Sequence, residues 1–427
     1  MKFGKVGQVG LVSAIALVVA TLFTACGNTL TVGFMFVPTN NLTPGQIEVY
    51  EVDSESGSLR TIPTSPFPSG GRDPIAEATS PDFNNLYVIN EDDNNIVQFG
   101  IGTDGKLYPQ STINTPGSFP MATAMNTAGS YLYVVDTLQP IPGCSLTNAC
   151  PGDIAAYAVT STATSATAGS NGAGSLGQVC SAPSSGTPTC TVGNPVINSN
   201  GQGYLPLQLT PTDKTTVLTP TAVNVLTNGN FVYVTAFNAS TSLGYLFSFS
   251  VGANGTLSPL NGGLPVNIGA QPAAIVSDAA GQFVYIADEL KNAVSTYAVN
   301  SDGSLSLKSI ASTGNQPTAL TMDSTGKFLY VTNASDGNVS GYTVSNGTLT
   351  NTGTYAAGSQ PVAIAIDPRH VGFLYTVNFL GSNLNGYQID PTTGVLNNAQ
   401  QSPYASTVQP TAIAGIPHGG ITTAAKE

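Results

Sequence analysis

Two short markers recur seven times along the 427-residue chain, in step with each other. The first is a run that is apolar on both alternating faces: Phe34–Val37, Leu86–Asn90, Tyr131–Asp136, Phe231–Thr235, Phe283–Asp288, Phe328–Asn333 and Phe373–Asn378. In Phe328–Asn333, Phe328 and Tyr330 fall on one face and Leu329 and Val331 on the other. A strand with that pattern is covered on both sides. The second marker is Pro-x-Ala, at Pro74, Pro120, Pro220, Pro272, Pro317, Pro361 and Pro410. Its spacing is 44–52 residues, apart from one gap of 100 between Pro120 and Pro220.

Residues 317–350 show what one period contains. Thr318–Met322, Phe328–Asn333, Val339–Val344 and a last strand from Thr348 are joined by turns rich in Gly, Asn and Asp, the hairpin signal. A four-stranded sheet cannot bury both faces alone, so it must stack on copies of itself. A period near 45 residues is that of a propeller blade. Pro can open a strand but cannot donate within it, and Ala is small enough where innermost strands converge.

The phase of the markers closes the ring. Phe34–Val37 has no Pro-x-Ala before it, and Pro410 has no double-faced strand after it. The two halves make one blade, which removes free edges. The expected fold is all-β: a seven-bladed β-propeller over residues 31–416, closed by N- and C-terminal strands in one shared first blade, with residues 417–427 a loose tail.

The long gap reads as an insertion, residues 137–215, in the third blade. It touches strand at Ile154–Val159 and then runs through a tract rich in Ser, Thr, Ala and Gly to Cys190. Such composition builds no core of its own. Cys144, Cys150, Cys180 and Cys190 allow three pairings, and sequence proximity favours Cys144–Cys150 and Cys180–Cys190. A metal reading would want His at ligand spacing, and His370 and His418 lie far off in sequence.

Paired cysteines, absent Trp and only 8% charged residues suit an extracytoplasmic β-protein. The formal charge is −12, and −14 without the two lysines of residues 1–25. With no basic run, nucleic acid is not an expected partner. Residues 1–25 read as an export signal: Lys2 and Lys5, then a mostly apolar run Val9–Phe23 too short for a comfortable span. Leu22-Phe23-Thr24-Ala25-Cys26-Gly27 resembles the bacterial lipobox. That resemblance implies lipidation at Cys26, residues 26–30 as a linker, and anchoring to a membrane of the cell envelope, facing the periplasm or exterior; a monomer is expected.

The repeat as a whole resembles the YVTN/lactonase-like seven-bladed propellers, which include 6-phosphogluconolactonase-like proteins. Tyr330-Val331-Thr332-Asn333 is a literal YVTN. The enzymes of that family carry Gly-Pro-Arg-His at the start of one innermost strand and Asn-Glu at the end of the next. Asn90-Glu91 and Asp288-Glu289 resemble the second half. The first half is missing: Ala273-Ala274 and Ile75-Ala76 follow the matching prolines, and Ala takes the His position in all seven blades. Asp367-Pro368-Arg369-His370 falls in a turn at the opposite mouth.

Candidate site residues follow from strand order, which brings the start of each Pro-x-Ala strand and the end of each double-faced strand to one mouth. Gln271, Gln316, Gln360 and Gln409 precede four of the prolines and predict an uncharged polar arc suited to a neutral, sugar-like ligand. Asn90, Asp288, Asn333 and Asn378 end double-faced strands and are either turn-formers or ligand contacts. Glu91, Asp92 and Asp93 are the densest acidic cluster and the only calcium candidates, though a polar turn explains them as well. No cofactor is expected. The reading is a binding or interaction module for an unknown small polar ligand or protein partner. The rival is a lactone hydrolase with Glu91 or Glu289 as base and Arg72 as the cation placed to help.

Overall fold

The computed structural model describes residues 30–40, 43–160, 173–179, 196–367 and 372–418. Seven antiparallel sheets form a ring. The second blade has strands Pro74–Thr79, Asn85–Asn90, Asn95–Ile101 and Leu107–Asn114, from the axis outward. The fifth (from Pro272–Ser277), sixth (from Pro317–Met322) and seventh (from Pro361–Ile366) repeat that order, as does the fourth from Thr219–Val225. In the first blade Ala414–Pro417, from the C-terminal end, pairs with Thr31–Thr39, which pairs with Gln46–Asp53. The expected ring and its closure are both present.

Each innermost strand lies against the next around the circle, so no edge faces the axis unprotected. Between neighbouring blades sits an apolar cluster, for example Phe34, Phe36, Leu86, Val88 and Val97 between the first and second. Pro-x-Ala marks a bulge: Pro317 pairs with Asn333 but Ala319 pairs with Thr332, and the same one-residue shift recurs in the other blades of this pattern. The bulge accommodates the proline, whose missing N–H would break a regular ladder.

A repeated clasp links blade to blade. The hydroxyls of Tyr87, Tyr133, Tyr233, Tyr330 and Tyr375 donate to the carbonyls of Gly174, Gly255, Gly303, Gly394 and Gly57, each on the following blade, at 2.6–3.1 Å. Those tyrosines are fully buried, where an unpaired hydroxyl would be costly. The acceptor must be Gly. Gly394 has φ 72°, and a Cβ there would lie 2.3 Å from the Phe328 ring.

Two sequence expectations need correction. The strand expected at Ile154–Val159 is present as Asp153–Val159, but the insertion holds more strand than expected, since Leu176–Gln178 and Gly203–Pro206 both return to pair with it. The tail begins later than expected, because Pro417 pairs with Gly33 and the His418 amide donates to the Val32 carbonyl at 2.8 Å. Cys144 and Cys150 form a disulfide with Cα atoms 5.6 Å apart. Cys26, Cys180 and Cys190, with the rest of residues 1–29 and 419–427, lie outside the described residues.

One carboxyl sits badly in this core. Glu77, on the innermost strand of the second blade, has both side-chain oxygens buried. Burial holds its carboxyl well above the usual 4.5, offset only in part by the Ala414 amide of the closing strand. The folded protein therefore keeps a proton that the unfolded chain releases above 4.5. The stability from this group is complete below that pH and is lost as pH rises towards the folded value. Glu77→Gln should raise the unfolding temperature at pH 8, with the advantage shrinking towards pH 4. Parallel pH profiles for the two proteins would contradict this placement of the charge.

Candidate binding mouth

At one end of the ring the residue before each innermost proline meets the residue after the double-faced strand. The amides of Glu91, Glu289, Ala334, Phe379 and Asn40 donate to the carbonyls of Asp73, Gln271, Gln316, Gln360 and Gln409 at 2.7–3.0 Å. Asp73, Phe119, Gln316, Gln360 and Gln409 adopt left-handed φ values of 30–59°. A non-Gly residue in that region is uncommon, and five at one repeat position mark a built feature of the ring.

The four glutamines predicted as an uncharged arc share this mouth, but a carboxylate joins two of them. Gln271, Gln316, Gln360 and Gln409 belong to the fifth, sixth, seventh and first blades, which are consecutive, and all four are half-buried. Gln271 and Gln316 meet at Glu289. Gln271 Nε2 donates to Glu289 Oε2 at 2.6 Å, and Gln316 Nε2 donates to Oε1 at 2.5 Å. Ser335 Oγ in turn donates to Gln316 Oε1 at 2.6 Å. Both carboxylate oxygens are thus held by amides from two blades. The group is oriented, as a positioned base or a hydroxyl acceptor would be.

Glu91 stands on the second blade, three blades from Glu289 in a ring of seven. Burial first, then Asp73 and Asp92, push its carboxyl up, and burial also raises that of Asp73. Arg72 is engaged elsewhere. Its Nη2 lies 2.7 Å from Asp93 Oδ1 and its Nη1 3.5 Å from Asp92 Oδ2. The hydrogen bond from Arg72 lowers the Asp93 carboxyl from its usual range. The main partner of Arg72 is Asp93 rather than its sequence neighbour Asp73. Among the described residues no group of three or more His, Cys, Asp or Glu side chains converges as a metal site, and Glu91, Asp92 and Asp93 are no exception.

The strand-end residues are drawn into the fold. Asn90, Asn333 and Asn378 have no exposed surface, and Asp288 is 4% exposed. Asn90 Nδ2 donates to Asn95 Oδ1 at 2.9 Å, Asn333 to Asn338 at 2.7 Å, and Asn378 to Asn383 at 2.7 Å. Asp288 accepts the amides of Ala270, Gln271 and Lys291. Of the two readings open for these four residues, their geometry is that of turn-formers and strand ties.

Sequence reasoning missed three aromatic positions. Phe119, Phe237 and Phe379 occupy the same pre-proline or post-strand positions on the third, fourth and seventh blades, all half-buried. Reading the residue before each Pro-x-Ala and the one or two residues after each double-faced run would have found them. Cations are few. Lys291 Nζ lies 3.8 Å from Asp288 Oδ2, and Lys214 is exposed on the link into the fourth blade.

Comparison with known proteins agrees with this architecture. Residues 255–366 match the family model described as "Lactonase, 7-bladed beta-propeller". The fold is that of the lactonase-type propellers. A presumed 6-phosphogluconolactonase of Bacteroides uniformis is similar over 91% of this chain and 100% of its own, with 16% identity and a TM-score of 0.68. The periplasmic gluconolactonase of Pseudomonas aeruginosa is similar over 90% and 99%, at 20% identity and a TM-score of 0.67. A further presumed 6-phosphogluconolactonase, from Bacteroides fragilis, has 17% identity and a TM-score of 0.66 over 91% and 99%. At such identities the likeness is one of fold. No curated protein matches the sequence.

In this lactonase-like propeller the Arg-His positions carry Ala273 and Ala274 on the fifth blade and Ile75 and Ala76 on the second, at the first turn of each innermost strand. Pro368, Arg369 and His370 lie outside the described residues.

Proposed function

We propose that this propeller is a lipid-anchored, extracytoplasmic module that binds a neutral polyhydroxylated ligand at the Gln-lined mouth. The observation that carries the reading is the Gln271–Glu289–Gln316 set. It offers a fixed carboxylate and amides from two blades, groups that hydrogen-bond sugar hydroxyls. Half-buried phenylalanines on neighbouring blades add apolar surface suited to sugar C–H faces. An acidic mouth whose Arg72 is already paired disfavours a phosphorylated ligand. Titration calorimetry with a panel of neutral sugars and their phosphate esters tests this. Binding of a neutral member should weaken about tenfold in Gln316→Ala, the loss of one or two hydrogen bonds. Preference for the phosphate esters, or indifference to Gln316→Ala, would overturn it.

The second reading is a lactone hydrolase. It is favoured by the raised Glu91 carboxyl and by the activity named for the Pseudomonas neighbour. The anchor is tested separately. Cys26→Ser should abolish acyl labelling and leave precursor or soluble protein, whereas unchanged membrane fractionation would contradict lipidation at Cys26.

A further inference from the structure

The end of the double-faced strand carries the same kind of pair in three blades. In the second, sixth and seventh, its last Asn faces the first Asn of the next strand: Asn90 with Asn95, Asn333 with Asn338, Asn378 with Asn383. Each pair is joined by one amide-to-carbonyl bond. In the third blade the same two positions hold Asp136 and Asp153, directly paired across the strands. Two carboxylates have no N–H to give each other.

The Thr115 side chain lies by Asp136 and the buried Tyr157 hydroxyl lies near both carboxylates. Both residues have 0% exposure. Gly117 N donates to Asp136 Oδ2 at 3.0 Å, but Asp136 Oδ1 and both Asp153 oxygens are buried without a hydrogen bond. The contrast with the fifth blade is direct. There a single Asp288 stands opposite Ala293, accepts three backbone amides, and has Lys291 at 3.8 Å. Burial pushes both third-blade carboxyls up, Asp136 to about 7, and the two charges repel. One shared proton would bridge a single oxygen of each, leaving a buried Asp153 oxygen unmet and a net negative charge.

We propose that Asp136 and Asp153 hold a divalent cation of calcium chemistry between the second and third blades. Two carboxylates balance its charge. A backbone acceptor is close: the Leu138 carbonyl and Asp153 Oδ2 both come within 2.6 Å of the point where a Cβ on Gly117 would stand, so only Gly leaves that side open. A fully buried site lined by carboxylate and carbonyl oxygens favours calcium, which takes protein oxygens in irregular geometry, over magnesium, which keeps its waters. The pair faces the link Thr115–Gly117 leaving the second blade and lies beneath the Cys144–Cys150 loop. The cation would fasten the third blade, whose outer strands are made of returning segments, to its neighbour.

The repeats themselves supply the control variant. Asp136→Asn with Asp153→Asn recreates the pair used in three other blades, so it is expected to fold. The purified protein, stripped with chelator and then given calcium, should retain about one calcium per chain by elemental analysis. Its unfolding midpoint should rise by about 3–6 °C in millimolar calcium. The double variant should retain none and show no shift, and magnesium should act weakly on either. The proposal fails if wild-type protein retains no calcium and its midpoint ignores it, the result expected if a shared proton holds the pair. It fails equally if the calcium shift persists in the double variant, or if magnesium matches calcium.

Discussion

Deleting residues from Gln409 onward should cost on the order of 5 kcal/mol or more, a large part of the stability of an ordinary domain. The deleted segment is the innermost strand of the first blade. Phe36 pairs with Ala414, Met35 with Gly415, Phe34 with Ile416 and Gly33 with Pro417. Ile416 is buried in the cluster between the first and second blades, and Ile413 packs against the one shared with the seventh. Thr411 carries the seam to both sides: its amide and hydroxyl reach the Pro38 carbonyl, and its hydroxyl also lies 2.6 Å from the Pro74 carbonyl. Without the segment, Met35 and Phe36, now fully buried, lose their cover, and Thr31–Thr39 becomes an open edge. Denaturant unfolding of the truncated protein should show an early, broad transition. A truncated chain that unfolds like the full one would mean that the termini do not close the ring.

The second large effect is on rate. Opening of sugar lactones by this protein should run at least about 10²–10³ below an enzyme with a complete oxyanion site. Lactone opening needs a base to activate water and a donor or cation where charge develops on the carbonyl oxygen. Two candidate bases are present. Glu91, with its raised carboxyl, is better placed near neutral pH for proton transfer than an ordinary carboxylate. Glu289 already accepts two amide bonds. Among the described residues the electrophile is the weak part of the mouth: Ala274 and Ala76 stand where the family's His would be, Arg72 is bonded to Asp93 through its Nε at 2.8 Å, and Lys291 lies 3.8 Å from Asp288. Acid release from a lactone panel, followed with a pH indicator, should stay close to the buffer rate.

The ring was legible because its two markers are local. Strand faces and Pro-x-Ala can be counted residue by residue, and their phase alone predicts the shared blade. The tyrosine clasp was not legible, since Tyr330 reads as an apolar strand residue until the neighbouring blade brings Gly394 to its hydroxyl. Asn333 reads first as a turn-former, with a ligand contact as the alternative. What decides is the link that covers it: Gly314 passes so close that a Cβ there would lie 2.8 Å from the Asn333 amide carbon, and such cover is non-local. The Gln arc was found in sequence, but the carboxylate it holds was assigned only as a possible base. In the third blade the Ser/Thr/Ala/Gly composition hid strands that pair because a sheet edge awaits them. The Asp136–Asp153 pairing was hidden for a related reason. Its members are seventeen residues apart across a disulfide loop, whereas the matching Asn pairs are separated by one short turn.

The most direct test of a mouth that binds without turning over is a single calorimetric titration of a neutral sugar lactone into the purified protein. Binding and hydrolysis give different signals in that experiment. The account predicts a saturating isotherm whose baseline returns after each injection and whose affinity falls in Gln316→Ala. A sustained heat of turnover that disappears in Glu91→Gln or Glu289→Gln would contradict it and make the protein a lactonase.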